Sequence, residues 1–441
     1  MILPVCIQDF TPRLGYAIDL VVRQVMGFEY TLVSVPPSPE TPHLSIVNHP
    51  EPSAAQWYDS GFLSQSGNSP PSVELPDAGQ PGLCFDESGY PDLLASVFWL
   101  VTEYDSWLEP EKDLHGRGIE TKLHQQLDLA HRPVVHDWVA AYETDLLERY
   151  PVLKTSQIKS RPFHEIVIDI DQPWKYRYKP LWVQIGGMLK DVFAGKIQQV
   201  TERFSAWTQK KDPNDTINEL LTLCDPAHTR LFVLLGGKHP LDSRFSASHS
   251  PWRKVIQSIS DRGFSVNIHP SYQSADRDGY IQAELQELET ICRPDANVRM
   301  HFLRYRLPDT RREMLKAGLK RDYSVYRNGE GGFPCGMMQA FPWYDLGRDE
   351  VTDLWIVPTM LMDRTIVGTV ADRSGQDPEQ ALEQAKSLLN TVIRGNGAFV
   401  LCLHNECLSE SEEWVGWSAW ARQLISIINN ENSFGSATPH H

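Results

Sequence analysis

His164-Glu-Ile-Val-Ile-Asp-Ile-Asp-Gln-Pro-Trp174 is the stretch on which the fold turns. Its run of β-branched and apolar residues is a strand, and the proline after it ends the run. The strand finishes on two carboxylates, Asp169 and Asp171, which a period of two places on one face. The same pattern recurs downstream. Helices are expected over 181–208 and 214–224, a strand at RLFVLLG (230–236), and a helix over 251–261. FSVNIH (264–269) is a strand, 280–292 a helix, NVRMHFLR (297–304) a strand and 309–317 a helix. A less regular stretch holds a strand at LWIVP (354–358). Asp377 as N-cap and Pro378 at the first turn then open a helix to about Arg394. GAFVLCLHN (397–405) is the last strand and 415–430 the last helix. Repeated βα units of this kind give an α/β fold with a mainly parallel sheet, open or closed into a barrel.

Residues 1–160 read differently. Between Val35 and Pro81 the chain is dense in Pro, Ser and Gly, which break helices and weaken strands. The segment Asp92 to Tyr104, apolar on most of its circumference, is a buried helix, and a second runs from about Val135 to Arg149. His115, His124, His131 and His136 lack metal-type spacing and read as local polar contacts. The expected division is a smaller α+β domain at 1–160, a catalytic barrel at 161–432 and a disordered tail at 433–441.

The composition narrows the function. The chain has 441 residues, with 41 Lys+Arg against 57 Asp+Glu, a net charge of -16. Such a balance repels phosphate backbones and anionic lipid, so no nucleic-acid or membrane-surface partner is expected. No run of about 20 apolar residues occurs, so no transmembrane segment is expected. The first residues lack a basic, then apolar, secretory pattern, and the 7 cysteines are scattered, so the expected setting is the reducing cytoplasm. Cys402 and Cys407 bracket His404, but no second pair completes a zinc clip.

In a parallel α/β barrel, chemistry sits at the C-terminal ends of the strands. There the sequence places Asp169 and Asp171, then His269, then His301 with Arg304 and Arg306, and finally His404 and Asn405. His301 is expected inside its strand. Two carboxylates, three imidazoles and arginines at one rim can hold a divalent metal with a base and an acid beside it. Trp174, Tyr176 and Tyr272 follow these ends; Asp345 is a weaker candidate, and Asp363 reads first as a helix or turn cap, with contact to the metal-site rim as the alternative. Gly236-Gly237-Lys238 lacks the phosphate-loop spacing, and Gly186-Gly187 reads as close helix packing.

These strand ends resemble the NodB-homology polysaccharide deacetylases, carbohydrate esterase family four. IDIDQPW looks like that family's paired-Asp motif with one residue inserted between the two. NIHPSYQS keeps His269 of its His pair, but Gln273 stands where the second is expected. YRLPDT supplies the Arg-x-Pro motif through Arg306 and Pro308, and LCLHN supplies His404. The whole chain also resembles a divergent bacterial subgroup in which a domain of unknown function precedes the deacetylase-like one. PRLGYAIDLVV, ASVFWLVTEYDSW, HGRG, NIHPSY, RMHFLRYRLP and AFPWYDL carry that likeness over about residues 6–425.

The resemblance implies a distorted (β/α)7 barrel and metal-dependent removal of an N-acetyl group from an amino sugar or glycan precursor. It implies Asp171 and His269 as ligands of a divalent metal, for which Zn is the first choice; with Gln273 in place of the second His, His301 on the neighbouring strand is the expected third ligand. Asp169 would be the base, His404 the acid and Arg306 the holder of the base. Trp174, Tyr272 and Asn405 would line a saccharide site. The competing reading is a saccharide- or partner-binding pseudoenzyme, and N-formyl or O-acetyl cleavage stays open beside deacetylation.

Overall fold

In the computed structural model, described residues are 1–48, 55–65, 67, 71–76, 80–108, 111–119, 121–158, 163–327, 331–368 and 377–436. The first part builds a parallel four-stranded sheet from β1 (Leu3–Cys6), β2 (Tyr30–Val33), β3 (Leu44–Val47) and β4 (Gln56–Tyr58), in the order β2-β1-β3-β4. The helix Leu93–Val101 is buried at all nine positions and starts where Asp92 accepts from the Ala95 N–H.

The second part is a nine-stranded sheet. Its strands are β5 (Glu165–Ile170), β6 (Thr229–Val233), β7 (Ser265–Ile268), β8 (Asn297–Val298), β9 (Arg321–Asp322), β10 (Phe341–Asp345), β11 (Glu350–Ile356), β12 (Leu361–Met362) and β13 (Val400–His404). The order is β10-β11-β9-β8-β7-β6-β5-β13-β12, with only β10 and β11 antiparallel. Buried central strands read as continuous apolar runs, and β5 is the example: Ile166, Val167, Ile168 and Ile170 are all inaccessible. Helices Ser250–Asp261, Tyr280–Glu289, Asp309–Lys316, Pro378–Arg394 and Ser418–Ser436 lie between and after the strands.

One stretch of chain, 350–362, touches both flanks of this sheet. Trp355 and Ile356 pair with Arg321 and Asp322 of β9, Thr359 bridges Tyr326, and Leu361 and Met362 pair with Leu401 and Cys402 of β13.

The larger of two apolar clusters among the described residues runs through both parts, from Leu3 and Phe98 to Ile168 and Trp420. Polar ties join them as well. The Tyr16 hydroxyl donates to the Pro342 carbonyl at 2.7 Å, and buried Arg13 pairs with Asp349 at 2.9 Å.

Several boundaries differ from expectation. The helix over 181–208 is two, Leu181–Phe193 and Ile197–Thr208, broken where Gly195 takes a φ of 65°. The strand expected over 297–304 keeps only two residues. The chain then turns, with φ of 58° at Phe302 and 55° at Leu303, so His301 sits in a single 3₁₀ turn. The last helix continues to Ser436, past the expected start of the tail at 433, and 437–441 lie outside the described residues. The β10–β11 hairpin is not anticipated beyond the strand at LWIVP.

Candidate functional site

The register of the parallel strands builds the site. Pairing of β13 with β5 sets His404 opposite Asp169, and Asp171 follows one residue past the end of β5. His269 directly follows β7, and the turn after β8 delivers His301. Asp171, His269 and His301 each offer an atom within 4.8 Å of the others.

Each imidazole is fixed from behind. His269 Nδ1 lies 2.5 Å from the Arg299 carbonyl oxygen, an atom that can only accept. His301 Nδ1 lies 3.2 Å from Asp242 Oδ1, and His404 Nδ1 lies 2.7 Å from Asp363 Oδ1. In all three rings Nδ1 therefore carries the proton, and Nε2 is turned toward the aspartate pair. The inward distances are 3.2 Å from His269 to Asp171 Oδ1 and 3.7 Å from His301 to Asp171 Oδ2. His404 Nε2 is 3.8 Å from Asp171 Oδ2 and 3.9 Å from Asp169 Oδ2.

Lone pairs on nitrogen and carboxylate oxygen thus face one another, which demands positive charge among them. Protons can supply it. Burial pushes His301 and His404 down, but the carboxylates around them prevail and lift both to about 9. A divalent cation supplies it equally well. One carboxylate and two imidazoles, each imidazole backed by an acceptor on its other nitrogen, is a donor set suited to such an ion. Asp171 Oδ1 is buried without a hydrogen bond, and Asp171 is the most accessible of the group, with 21% of its side chain exposed.

Asp169 has a different environment. Its Oδ2 receives Arg299 Nε at 2.7 Å and the Cys402 thiol at 3.3 Å, while its Oδ1 has no partner. Burial raises its pKa, but the Arg299 guanidinium outweighs that, aided by His269 and His404, and holds it below the ordinary carboxylate value. Arg299 is itself inaccessible and also donates to Thr359 Oγ1 at 2.9 Å and to the Tyr323 carbonyl.

Arg299 thus occupies the place expected of Arg306. Arg306 donates to the Ala275 carbonyl at 3.0 Å and lines a cavity of about 350 Å3 with Glu103, Asp105, Arg117 and Tyr326. None of the three imidazoles or of Asp169 and Asp171 lines that cavity. Trp174 is also placed differently: it is 3% exposed and packs among Tyr178, Phe245, His249 and Trp252, so no ring face is open to a sugar. Asn405 is inaccessible and donates to the carbonyls of Gln172 and Asn214, which ties two rim loops together. Tyr272 does stand near the rim. Its N–H donates to Asp242, its ring lies 4.1 Å from that of His239, and its hydroxyl is 3.2 Å from His115 Nδ1. Through His115 the first part of the chain reaches the rim.

Asp242 and Arg299 are not singled out by the sequence, Cys402 is weighed there only for a zinc clip, and Asp363 is read first as a turn or cap residue. Asp363 indeed accepts from the Arg364 N–H, but its larger role is to hold both the ring and the N–H of His404. Asp242 explains the second glycine of the pair at 236–237, while the first takes a φ of 83°. A Cβ on Gly237 would stand 2.0 Å from Asp242 Oδ2.

Residues 3–151 match a family described as a family of unknown function (DUF7033). No curated protein matches the chain. Similar solved structures include a candidate polysaccharide deacetylase from Mycobacterium smegmatis. It has a TM-score of 0.40 and 16% identity, over 64% of this chain and 94% of that one. Puue allantoinase has a TM-score of 0.37 and 11% identity, over 64% of this chain and 93% of that one.

Proposed function

We propose that this chain is a metal-dependent amide hydrolase that removes an N-acyl group, acetyl in the first instance, from an amino sugar or glycan precursor. The observation that carries the reading is the convergence of Asp171, His269 and His301, each imidazole with Nδ1 anchored and Nε2 turned inward. A divalent ion bound there, Zn by preference for two nitrogens and one oxygen, would polarise the amide carbonyl and lower the pKa of a water. Asp169, kept ionised by Arg299 and with Oδ1 free, takes the proton from the attacking water. His404, charged near neutral pH and oriented by Asp363, gives a proton to the leaving amine. The Tyr272 ring is covered by the His239 ring and by the Arg304 guanidinium, 4.1 and 4.0 Å from its centre, so it shapes the rim without an open face for a saccharide to stack on.

We also read the second part as a closed, distorted seven-stranded barrel with residues 1–160 as a separate supporting domain. The support for closure is the stretch 350–362, which joins β9 to β13 through consecutive pairings and so brings the ladder back to β5. The strand-end likeness to the NodB-homology deacetylases favours the same architecture. A pseudoenzyme would be favoured by His301 sealed among apolar side chains. Instead its ring lies between Asp242 and Asp171.

The test is metal content by mass spectrometry on protein purified without a metal-affinity column, with wild type beside Asp171→Ala, His269→Ala and His301→Ala. Near-stoichiometric metal in wild type and its loss in the variants is expected, followed by acetate release from N-acetyl sugars. Absence of metal from wild type after soaking with Zn, Co or Ni ends the hydrolase reading.

A further inference from the structure

The two helices Leu181–Phe193 and Ile197–Thr208 are built inside out. A helix of a water-soluble protein buries its apolar stripe and exposes its charges. Here each helix has one buried residue, Asp191 in the first and Ala206 in the second. Asp191 is paired with Arg203 at 2.7 Å across the two helices, and a Cβ on Gly187 would collide with that guanidinium, so glycine is what lets the ion pair sit between them. The apolar side chains face outward. Trp182 is 73% exposed, Phe193 88%, Ile197 78% and Trp207 54%, with Leu181, Leu189 and Phe204 also more than half exposed. An apolar surface of this kind on an otherwise well-packed protein marks an interaction site.

Charge selects the partner. The stretch 181–211 holds Lys190, Lys196, Lys210, Lys211 and Arg203 against Asp191 and Glu202, a net charge of +3. The chain as a whole is at -16, so the remaining residues carry -19. Lys190, Lys196, Lys210 and Lys211 are exposed. Large aromatic and aliphatic side chains beside flexible lysines are the composition of a segment lying in a bilayer interface, apolar groups among the acyl chains and ammonium groups at the head groups. The overall charge forbids the rest of the molecule from approaching the same surface, which leaves this hairpin as the point of contact.

We propose that the hairpin 181–208 docks the protein, shallowly and reversibly, on an anionic lipid bilayer. The proposal stands apart from the hydrolytic reading, since it needs neither the metal nor the imidazoles. It modifies the conclusion drawn from net charge alone, because the sign of the whole chain hides a segment of the opposite sign.

The experiment is co-sedimentation of the full chain with vesicles of phosphatidylglycerol and of phosphatidylcholine. Wild type is compared with Trp182→Ser/Phe193→Ser/Trp207→Ser and with Lys190→Glu/Lys196→Glu. All five positions are exposed, and circular dichroism checks that both variants stay folded. Wild type should bind phosphatidylglycerol vesicles, bind phosphatidylcholine far less, and release as salt is raised. Each variant should lose at least about tenfold in partitioning. Failure of wild type to sediment with phosphatidylglycerol overturns the proposal, and so does equal binding by the triple variant. A wild-type dimer in gel filtration that becomes monomeric in the triple variant, without vesicle binding, assigns the surface to a second copy of the chain instead.

Discussion

Replacing Arg299 by Met tests what holds Asp169 ionised. The perturbation removes a guanidinium with no solvent exposure from a carboxylate whose side chain is 3% exposed. It also removes the donor to Thr359 Oγ1 and to the Tyr323 carbonyl. Deleting one partner of a buried ion pair leaves the other charge uncompensated, at a cost of about 3–5 kcal/mol. Against a total stability of roughly 5–15 kcal/mol that is a large loss, readable as a lowered midpoint in urea unfolding followed by circular dichroism. Adding Asp169→Leu removes the stranded charge. The double variant should therefore be more stable than the sum of the single losses implies, by about 2 kcal/mol. The His269 ring stays anchored, because it uses the backbone carbonyl of residue 299 and not its side chain. Metal content should thus survive in Arg299→Met while turnover falls. Additive single and double losses, or a loss under about 1 kcal/mol for Arg299→Met, would refute the assignment of Arg299 as the group that keeps Asp169 charged.

Four further outcomes are expected. Burial, with His228 nearby, pushes His164 down to about 4, and its Nδ1 accepts from the Phe399 N–H. The unfolded chain takes up that proton from about pH 6.5 and the folded chain only near 4. Stability from this group is therefore full above 6.5 and is lost on acidification, about 3 kcal/mol in all. His164→Gln should flatten the acid limb of the stability-pH curve by that amount, and superimposable curves would count against it. Asn432 exchanges two hydrogen bonds with the backbone of His164, so Asn432→Ala should cost about 1–3 kcal/mol in urea unfolding, and a neutral result would show the last helix to be loosely attached. Asp363→Asn should keep the metal but lose about a hundredfold or more in kcat, with KM little changed, because His404 loses its orienting carboxylate. Unchanged kcat there removes His404 as the acid. Gly237→Ala should drive Asp242 away from His301 and weaken metal binding by about 10–100-fold in a chelator competition, whereas wild-type affinity would show that Asp242 does not support His301.

The parts of the site that lie on regular strands are legible in the sequence. Asp169 and His404 sit at the ends of long apolar runs, where a period of two and a parallel register fix which face they occupy. His269 follows the same rule one residue past β7. What lies off the strands is not legible in this way. After Val298 the backbone leaves the sheet, and left-handed residues at 302 and 303 decide where His301, Arg304 and Arg306 go. A strand extended through that segment points to Arg306, while the arginine that reaches Asp169 is Arg299, just past β8. Asp242 lies in the loop after β6 and reveals itself only through what it touches. Trp174 and Asn405 illustrate the reverse error. Both are near the rim in sequence, but each is spent on internal packing or on carbonyls of neighbouring loops. The apolar pattern over 181–208 predicts helix and gives no sign that the apolar side faces outward.

The stretch 350–362 acts as a clasp. On one side it grips β9, which pairs with β8, the strand leading into the turn of His301; on the other it grips β13, which carries His404 and pairs with β5, the strand of Asp169. Prising His404 away from His269 and His301 would mean undoing the clasp, with its backbone bonds from Val357, Thr359 and Met360 to Asp322, Val325 and Val400. The two halves of the candidate site are therefore tied together through the backbone of this one stretch. Accommodation of different substrates falls to what rests on top of it, the loop that carries His115 and the ring of Tyr272 beneath.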